Sequence, residues 1–179
     1  MIDNAIDPDV HSFTSAISAC AAKGQWERAV ELLQDMRERG VDPTAATYKA
    51  AISACDKGAN WERALQLMDE MRSSGLAPDL LTYNAAISAC ERCGRFEEAL
   101  SLLKKMRQRG VEPDVVSYSA AISACDKADE WQQAQELWVE MRRYVKPNAM
   151  TYAAAISACG KGGQWRRALD LLSEMRQRG

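Results

Sequence analysis

The sequence predicts an all-α fold, an α-solenoid of about five tandem helix–turn–helix repeats. Three observations lead there. The string Ala-Ile-Ser-Ala-Cys occurs five times, ending at Cys20, Cys55, Cys90, Cys125 and Cys159, at spacings of 35, 35, 35 and 34 residues. Aromatic residues keep the same register, before each string at Phe13, Tyr48, Tyr83, Tyr118 and Tyr152, and after it at Trp26, Trp61, Phe96, Trp131 and Trp165. Inside each unit, apolar positions recur twice at helical spacing with a break between them.

The elements follow in order. Residues 1–9, with Ile6-Asp7-Pro8-Asp9, read as the tail of a preceding repeat. The first unit, 10–44, places Phe13, Ala16, Ile17 and Cys20 on one stripe of a helix, here called helix A. Lys23-Gly24 breaks it. Trp26, Ala29, Val30, Leu33 and Met36 then form the stripe of a second helix, helix B. Gly40 can take a left-handed cap and Pro43 cannot continue a helix, so B stops there. Units 45–79 and 80–114 repeat the pattern, with Met71-Arg72 and Met106-Arg107 near their ends, followed by Gly75 to Pro78 and Gly110 to Pro113. Thr44, Asp79, Asp114 and Asn148 are placed to cap the next helix A. Unit 115–148 is one residue short. It runs Met141-Arg142-Arg143-Tyr144-Val145-Lys146-Pro147 without the glycine, which predicts an altered turn and a local change in superhelical pitch. Unit 149–179 stops before its proline, and with no polar end caps visible the chain reads as a segment of a longer array.

A helix pair of this size cannot bury both stripes alone. Stacked neighbours bury them in a continuous core, and small residues such as Ala16, Ala19, Cys20 and their equivalents let helices approach closely.

Composition bounds the function. The 179 residues carry a formal charge of −2, which disfavours but does not exclude a nucleic-acid binder, because the distribution matters more than the sum. No apolar run reaches the roughly 18 to 20 residues of a membrane span, so no membrane insertion is expected. The 6 cysteines read as buried small residues of a reduced protein, with Cys90 and Cys93 as a lone Cys-x-x-Cys and no metal expected. The single histidine, His11, has no nucleophile constellation around it, and neither a phosphate loop nor His-Glu-x-x-His is present. The chain is therefore read as a binder with no cofactor and no catalytic residues, not as an enzyme.

Leu80 to Asp114, LLTYNAAISACERCGRFEEALSLLKKMRQRGVEPD, has Thr-Tyr-Asn-Ala near its start and Met-Arg-x-x-Gly-x-x-Pro-Asp at its end. This resembles the pentatricopeptide repeat, in five phased copies from Val10 onward. The tetratricopeptide repeat, with its Trp-x-x-Leu-Gly-x-x-Tyr opening, fits less well. The resemblance implies a right-handed superhelix that binds single-stranded RNA in mitochondrion or plastid, about one base per repeat. It assigns base reading to the fifth and last residues of each unit: Thr14 with Thr44, Lys49 with Asp79, Asn84 with Asp114, and Ser119 with Asn148. Ala153 has no partner in this chain. Asn with Asp is similar to the family's uridine reader and Ser with Asn to an adenine reader; Thr-Thr and Lys-Asp depart from its usual pairs. The second residues, His11, Ala46, Leu81, Val116 and Met150, should face the same surface. His11, Leu81, Val116 and Met150 are wedge candidates, whereas Ala46 is too short.

Late in helix A, Lys23, Lys57, Arg92, Lys127 and Lys161 are phosphate candidates. The first fourteen residues of the five units hold six cations and three anions, so the A helices are the more positive part. A protein-interaction scaffold, as a subunit of a larger organellar assembly, is the alternative. The acidic balance, the off-pattern pairs and the near-identical repeats motivate it.

Overall fold

The computed structural model describes residues 7–178, and the tail reading for 1–9 lies mostly outside them. Ten helices follow one another: α1 (Val10–Ala22), α2 (Trp26–Glu38), α3 (Ala45–Lys57), α4 (Trp61–Ser73), α5 (Leu80–Arg92), α6 (Phe96–Gln108), α7 (Val115–Lys127), α8 (Trp131–Tyr144), α9 (Ala149–Lys161) and α10 (Trp165–Arg178). No strand occurs among the described residues. Odd-numbered helices are A helices and even-numbered ones B helices. The chain divides into two units, Met1–Pro78 and Asp79–Gly179, taken separately here.

In the first unit α1 packs on α2 and α3, and α3 packs on α4. Phe13, Ile17, Leu33, Met36, Tyr48, Ile52, Leu67 and Met71 are buried there. In the second unit α7 lies between α5 and α9, with α6 and α8 packed against it from the B layer. The small-residue stripe of α7, Ala121, Ala124 and Cys125, is fully buried, as close stacking on both sides requires. Burial also pushes the thiols of Cys55, Cys90 and Cys125 up to about 12.

Helix ends are set by side chains at the expected places. Each A helix starts at an N-cap that accepts the backbone N–H of the third helical residue: Asp9, Thr44, Asp79, Asp114 and Asn148. Helices α2 and α6 end on Gly40 and Gly110, at φ 72 and 73, where a glycine avoids the steric cost of a left-handed residue. In the short fourth repeat that glycine is the missing residue. Helix α8 runs on to Tyr144, and Val145 turns the chain through extended backbone (φ −134, ψ 140), so the altered turn is present.

The turns from A to B show a different solution. Gly24, Gly94 and Gly163 have positive φ, but Ala59 (φ 52) and Asp129 (φ 61) occupy the same place with a side chain. The residue before this turn is under steric control as well. A Cβ on Gly58 would lie 2.3 Å from the Trp26 ring, and one on Gly162 would lie 2.5 Å from the Trp131 ring. Ala128 and Cys93 hold the equivalent place with a side chain, after repeats that open helix B with Phe96 and Trp61 respectively.

On the B side, the Met-Arg arginine ties successive repeats. Arg37 donates to Tyr48 Oη at 2.6 Å and to Glu70 at 2.7 Å. Arg107 likewise donates to Tyr118 Oη at 2.6 Å and pairs with Glu140, which accepts from Tyr118 at 2.9 Å. In the fourth repeat Trp138 stands where repeat three has Leu103. It meets Tyr152 edge-on at 4.8 Å, while Arg142 stacks on Trp138 and bonds Glu174.

Candidate nucleic-acid interface

The last residue of each unit is the N-cap of the next A helix, so the sequence-assigned readers sit at the helix starts. The cap anchors one side-chain oxygen and thereby fixes the residue's position. The fifth residue of the same unit lies one turn into the preceding A helix, on the neighbouring face.

In repeat three the two meet. Asn84 donates through Nδ2 to Asp114 Oδ1 at 3.1 Å. That same oxygen accepts from the backbone N–H groups of Val116 and Ser117. Ser117 Oγ lies 2.5 Å from Asn84 Oδ1. In repeat one Thr14 reaches Thr44 only through a third hydroxyl, with Thr14 Oγ1 2.8 Å from Thr47 Oγ1 and Thr47 Oγ1 3.0 Å from Thr44 Oγ1. In repeat four Ser119 and Asn148 form no direct bond. Ser119 donates to the Val115 carbonyl at 2.6 Å and sits 3.3 Å from Thr151 Oγ1, while Asn148 Oδ1 is taken up by Thr151. Lys49 is half-buried on α3, and Asp79 caps α5 through Thr82 at 2.8 Å. Ala153 is exposed on α9 and has no polar group to offer.

The second residues behave uniformly. His11, Ala46, Leu81, Val116 and Met150 are all exposed in the first turn of their A helices. Leu81 is 59% exposed, Val116 50% and Met150 69%, a repeated display of apolar side chains that costs solvation unless something covers them. Leu81 stands three residues before Asn84 and Val116 two residues after Asp114, so each member of the pair has an exposed apolar neighbour at its helix start.

The cations are divided. Lys23 and Lys57 are exposed, with no ion pair among the described residues. Lys127 pairs with Glu91 at 2.7 Å, and Ser123 holds the same carboxylate at 2.8 Å. Lys161 pairs with Asp129 at 3.0 Å and Asp126 at 3.5 Å, and the Asp129 contact raises its proton affinity. Arg92 is exposed at the end of α5. The acids therefore serve the cation of the following repeat and not their own sequence neighbour. Adjacency along the chain hid this, although an acid followed one repeat later by a cation recurs at Glu91/Lys127 and Asp126/Lys161. The hydroxyls of Thr47, Ser117 and Thr151 were also missed, because nothing in the sequence shows which side chains they meet. The cations lie about 12 Å along the helix axis from the readers, at roughly 1.5 Å per residue.

Stacked helical hairpins with a repeated polar pair and a repeated exposed apolar group define a helical-repeat binding array. The PPR repeat family model matches residues 8–57 and 78–127, a second PPR repeat model matches 116–144 and 150–179, and a pentatricopeptide repeat domain model matches 53–95. The chain belongs to the pentatricopeptide repeat family. Among solved structures it is similar to PPR10 in complex with an 18-nt psaJ RNA element, at 30% identity and TM-score 0.73 over 98% of this chain and 29% of that one. PPR10 from maize matches in a second structure at 30% identity and TM-score 0.75, over 97% of this chain and 25% of that one. The chain thus spans less than a third of that protein's length. The PPR domain of Arabidopsis thaliana protein-only RNase P 1, in complex with tRNA, shares the fold at 19% identity and TM-score 0.79, over 91% of this chain and 86% of that one. No curated protein sequence matches the chain.

Proposed function

We propose that the chain binds single-stranded RNA along the starts of its A helices, as a non-catalytic module of organellar RNA metabolism in mitochondrion or plastid. The observation that carries this is repeat three. There an amide and a carboxylate are held together at 3.1 Å, between exposed Leu81 and Val116. Polar groups fixed at an edge can meet a base's hydrogen-bonding groups, and flanking apolar side chains can cover its faces. That the similar maize protein has been solved with RNA supports the same reading. Each stacked base contributes on the order of 1–3 kcal/mol, and micromolar binding needs about 8 kcal/mol. With few base-reading pairs of this kind, the segment should bind weakly and lean on added repeats.

Filter binding of labelled single-stranded RNA at low and high salt tests this. Retention that falls with salt and drops further on Asn84→Ala and Asp114→Ala is expected. A scaffold role is the second reading. The pairing of Lys127 and Lys161 with acids favours it, since those charges are already neutralised. Absence of RNA retention even at low salt would make it the better account.

A further inference from the structure

One hydroxyl in the second unit touches both members of a reader pair, and it belongs to neither. Ser117 is the third residue of repeat four, yet its Oγ lies 2.5 Å from Asn84 Oδ1 and 3.0 Å from Asp114 Oδ1 of repeat three. Its side chain is fully buried, so these contacts are sheltered from water.

The protons in this cluster can be assigned from chemistry alone, which matters because amide orientation is otherwise a choice. Asp114 Oδ1 accepts the backbone N–H groups of Val116 and Ser117, so it is an acceptor, and the Asn84 atom 3.1 Å from it must be Nδ2. That turns Asn84 Oδ1 toward Ser117, which must give its single proton there. Ser117 Oγ accepts in turn from the Asp114 backbone N–H at 3.2 Å. The result is a closed circuit: Asp114 N–H to Ser117 Oγ, Ser117 O–H to Asn84 Oδ1, and Asn84 Nδ2–H to Asp114 Oδ1. What the pair has left to offer is the second Nδ2 proton and Asp114 Oδ2.

The clusters of repeats one and four are arranged differently. In repeat one three hydroxyls, Thr14, Thr47 and Thr44, contact one another, and each can donate or accept. In repeat four Ser119 gives its proton to the Val115 carbonyl and Thr151 gives its own to Asn148 Oδ1, so no proton remains for their 3.3 Å contact.

We propose that Ser117 is a positioning residue of the repeat-three reader, locking the Asn84 amide so that one fixed donor beside one fixed acceptor meets the base. This rests on the RNA-binding reading above. Selectivity for a base edge that places an acceptor next to a donor then follows at repeat three, because there an amide donor and a carboxylate acceptor are fixed side by side before RNA arrives.

Selection from a random-sequence single-stranded RNA pool tests it, using the whole 179-residue chain, S117A and S117T. The unaltered chain should enrich one strongly biased position. S117A should flatten that bias by about tenfold, the discrimination a well-placed polar pair supplies, while total RNA retained changes far less. S117T should restore the bias, since Thr47, Thr82 and Thr151 hold this place in other repeats. Bias that persists in S117A overturns the proposal, and so does equal flattening at every position with a lower melting temperature. A second measurement needs no RNA: the Asn84 side-chain amide protons should exchange and rotate faster in S117A, and unchanged amide behaviour overturns the lock. If the unaltered chain retains no RNA at all, the RNA reading fails and the reader role of Ser117 goes with it, while the amide measurement still decides the lock.

Discussion

Repeats three and four are built on the same plan and end differently. Both bury a tyrosine, an isoleucine and a cysteine on helix A, Tyr83, Ile87 and Cys90 in one and Tyr118, Ile122 and Cys125 in the other. Repeat three closes with Gly110 in the left-handed region and joins its reader pair directly through Asn84 and Asp114. Repeat four loses that glycine, exits through extended Val145, and leaves Ser119 bonded to its own helix carbonyl. The core is thus indifferent to changes that decide whether a reader is assembled. Packing depends on the buried stripe, whereas the pairing of the proposed readers depends on a few polar atoms at the helix start.

The largest effects should fall on what the two repeats share. Ile87→Ala and Ile122→Ala each remove a fully buried side chain and should cost about 2–5 kcal/mol alike, measured by denaturant unfolding. A clear inequality would mean that the short turn has loosened the core of repeat four. Next comes a swap at the turn between A and B. Gly162→Ala drives a Cβ to 2.5 Å from the Trp131 ring and should cost about 1–3 kcal/mol, while Ala128→Gly, after Phe96, should cost under about 1 kcal/mol. Equal costs would remove the ring contact as the reason for glycine there.

A smaller effect separates the thiols from solvent. Burial raises Cys90 and Cys125 from 9.0 to about 12, so the unfolded chain ionises first as pH rises. Their contribution to stability is complete below about pH 9 and is lost on the way to 12. The melting temperature should fall across that range, and less so in Cys125→Ala if the variant is compared with itself at pH 8. The smallest effect is Glu91→Gln. It breaks the pair with Lys127, worth at most about 1 kcal/mol at an exposed site, and should leave folding nearly unchanged while raising RNA retention at low salt.

Much of this was legible in the sequence. The period gave the ten helices and their stacking within each unit, because the buried stripes at Ile17 and Ile52, and at Ile87 and Ile122, repeat at the same register. The deletion near Tyr144 announced an altered turn. Its form was not legible, since nothing local says that α8 continues and Val145 extends. Ala59 and Asp129 at positive φ were also hidden, because their left-handed conformation is set by the surrounding turn and not by residue type. The places of the proposed readers at the helix starts followed from counting, but their hydrogen bonding did not. Ser119 and Asn148 are spaced like Asn84 and Asp114, and only the three-dimensional placement of Val115, Ser117 and Thr151 tells the two pairs apart.

The central claim, that an assembled reader at repeat three carries the RNA contact, is tested most directly by binding single-stranded RNA at low salt to two variants side by side. Asn84→Ala should weaken binding roughly tenfold, the worth of one good polar contact to a base, and Ser119→Ala should change it little. Equal loss in both variants, or a greater loss in Ser119→Ala, would contradict it.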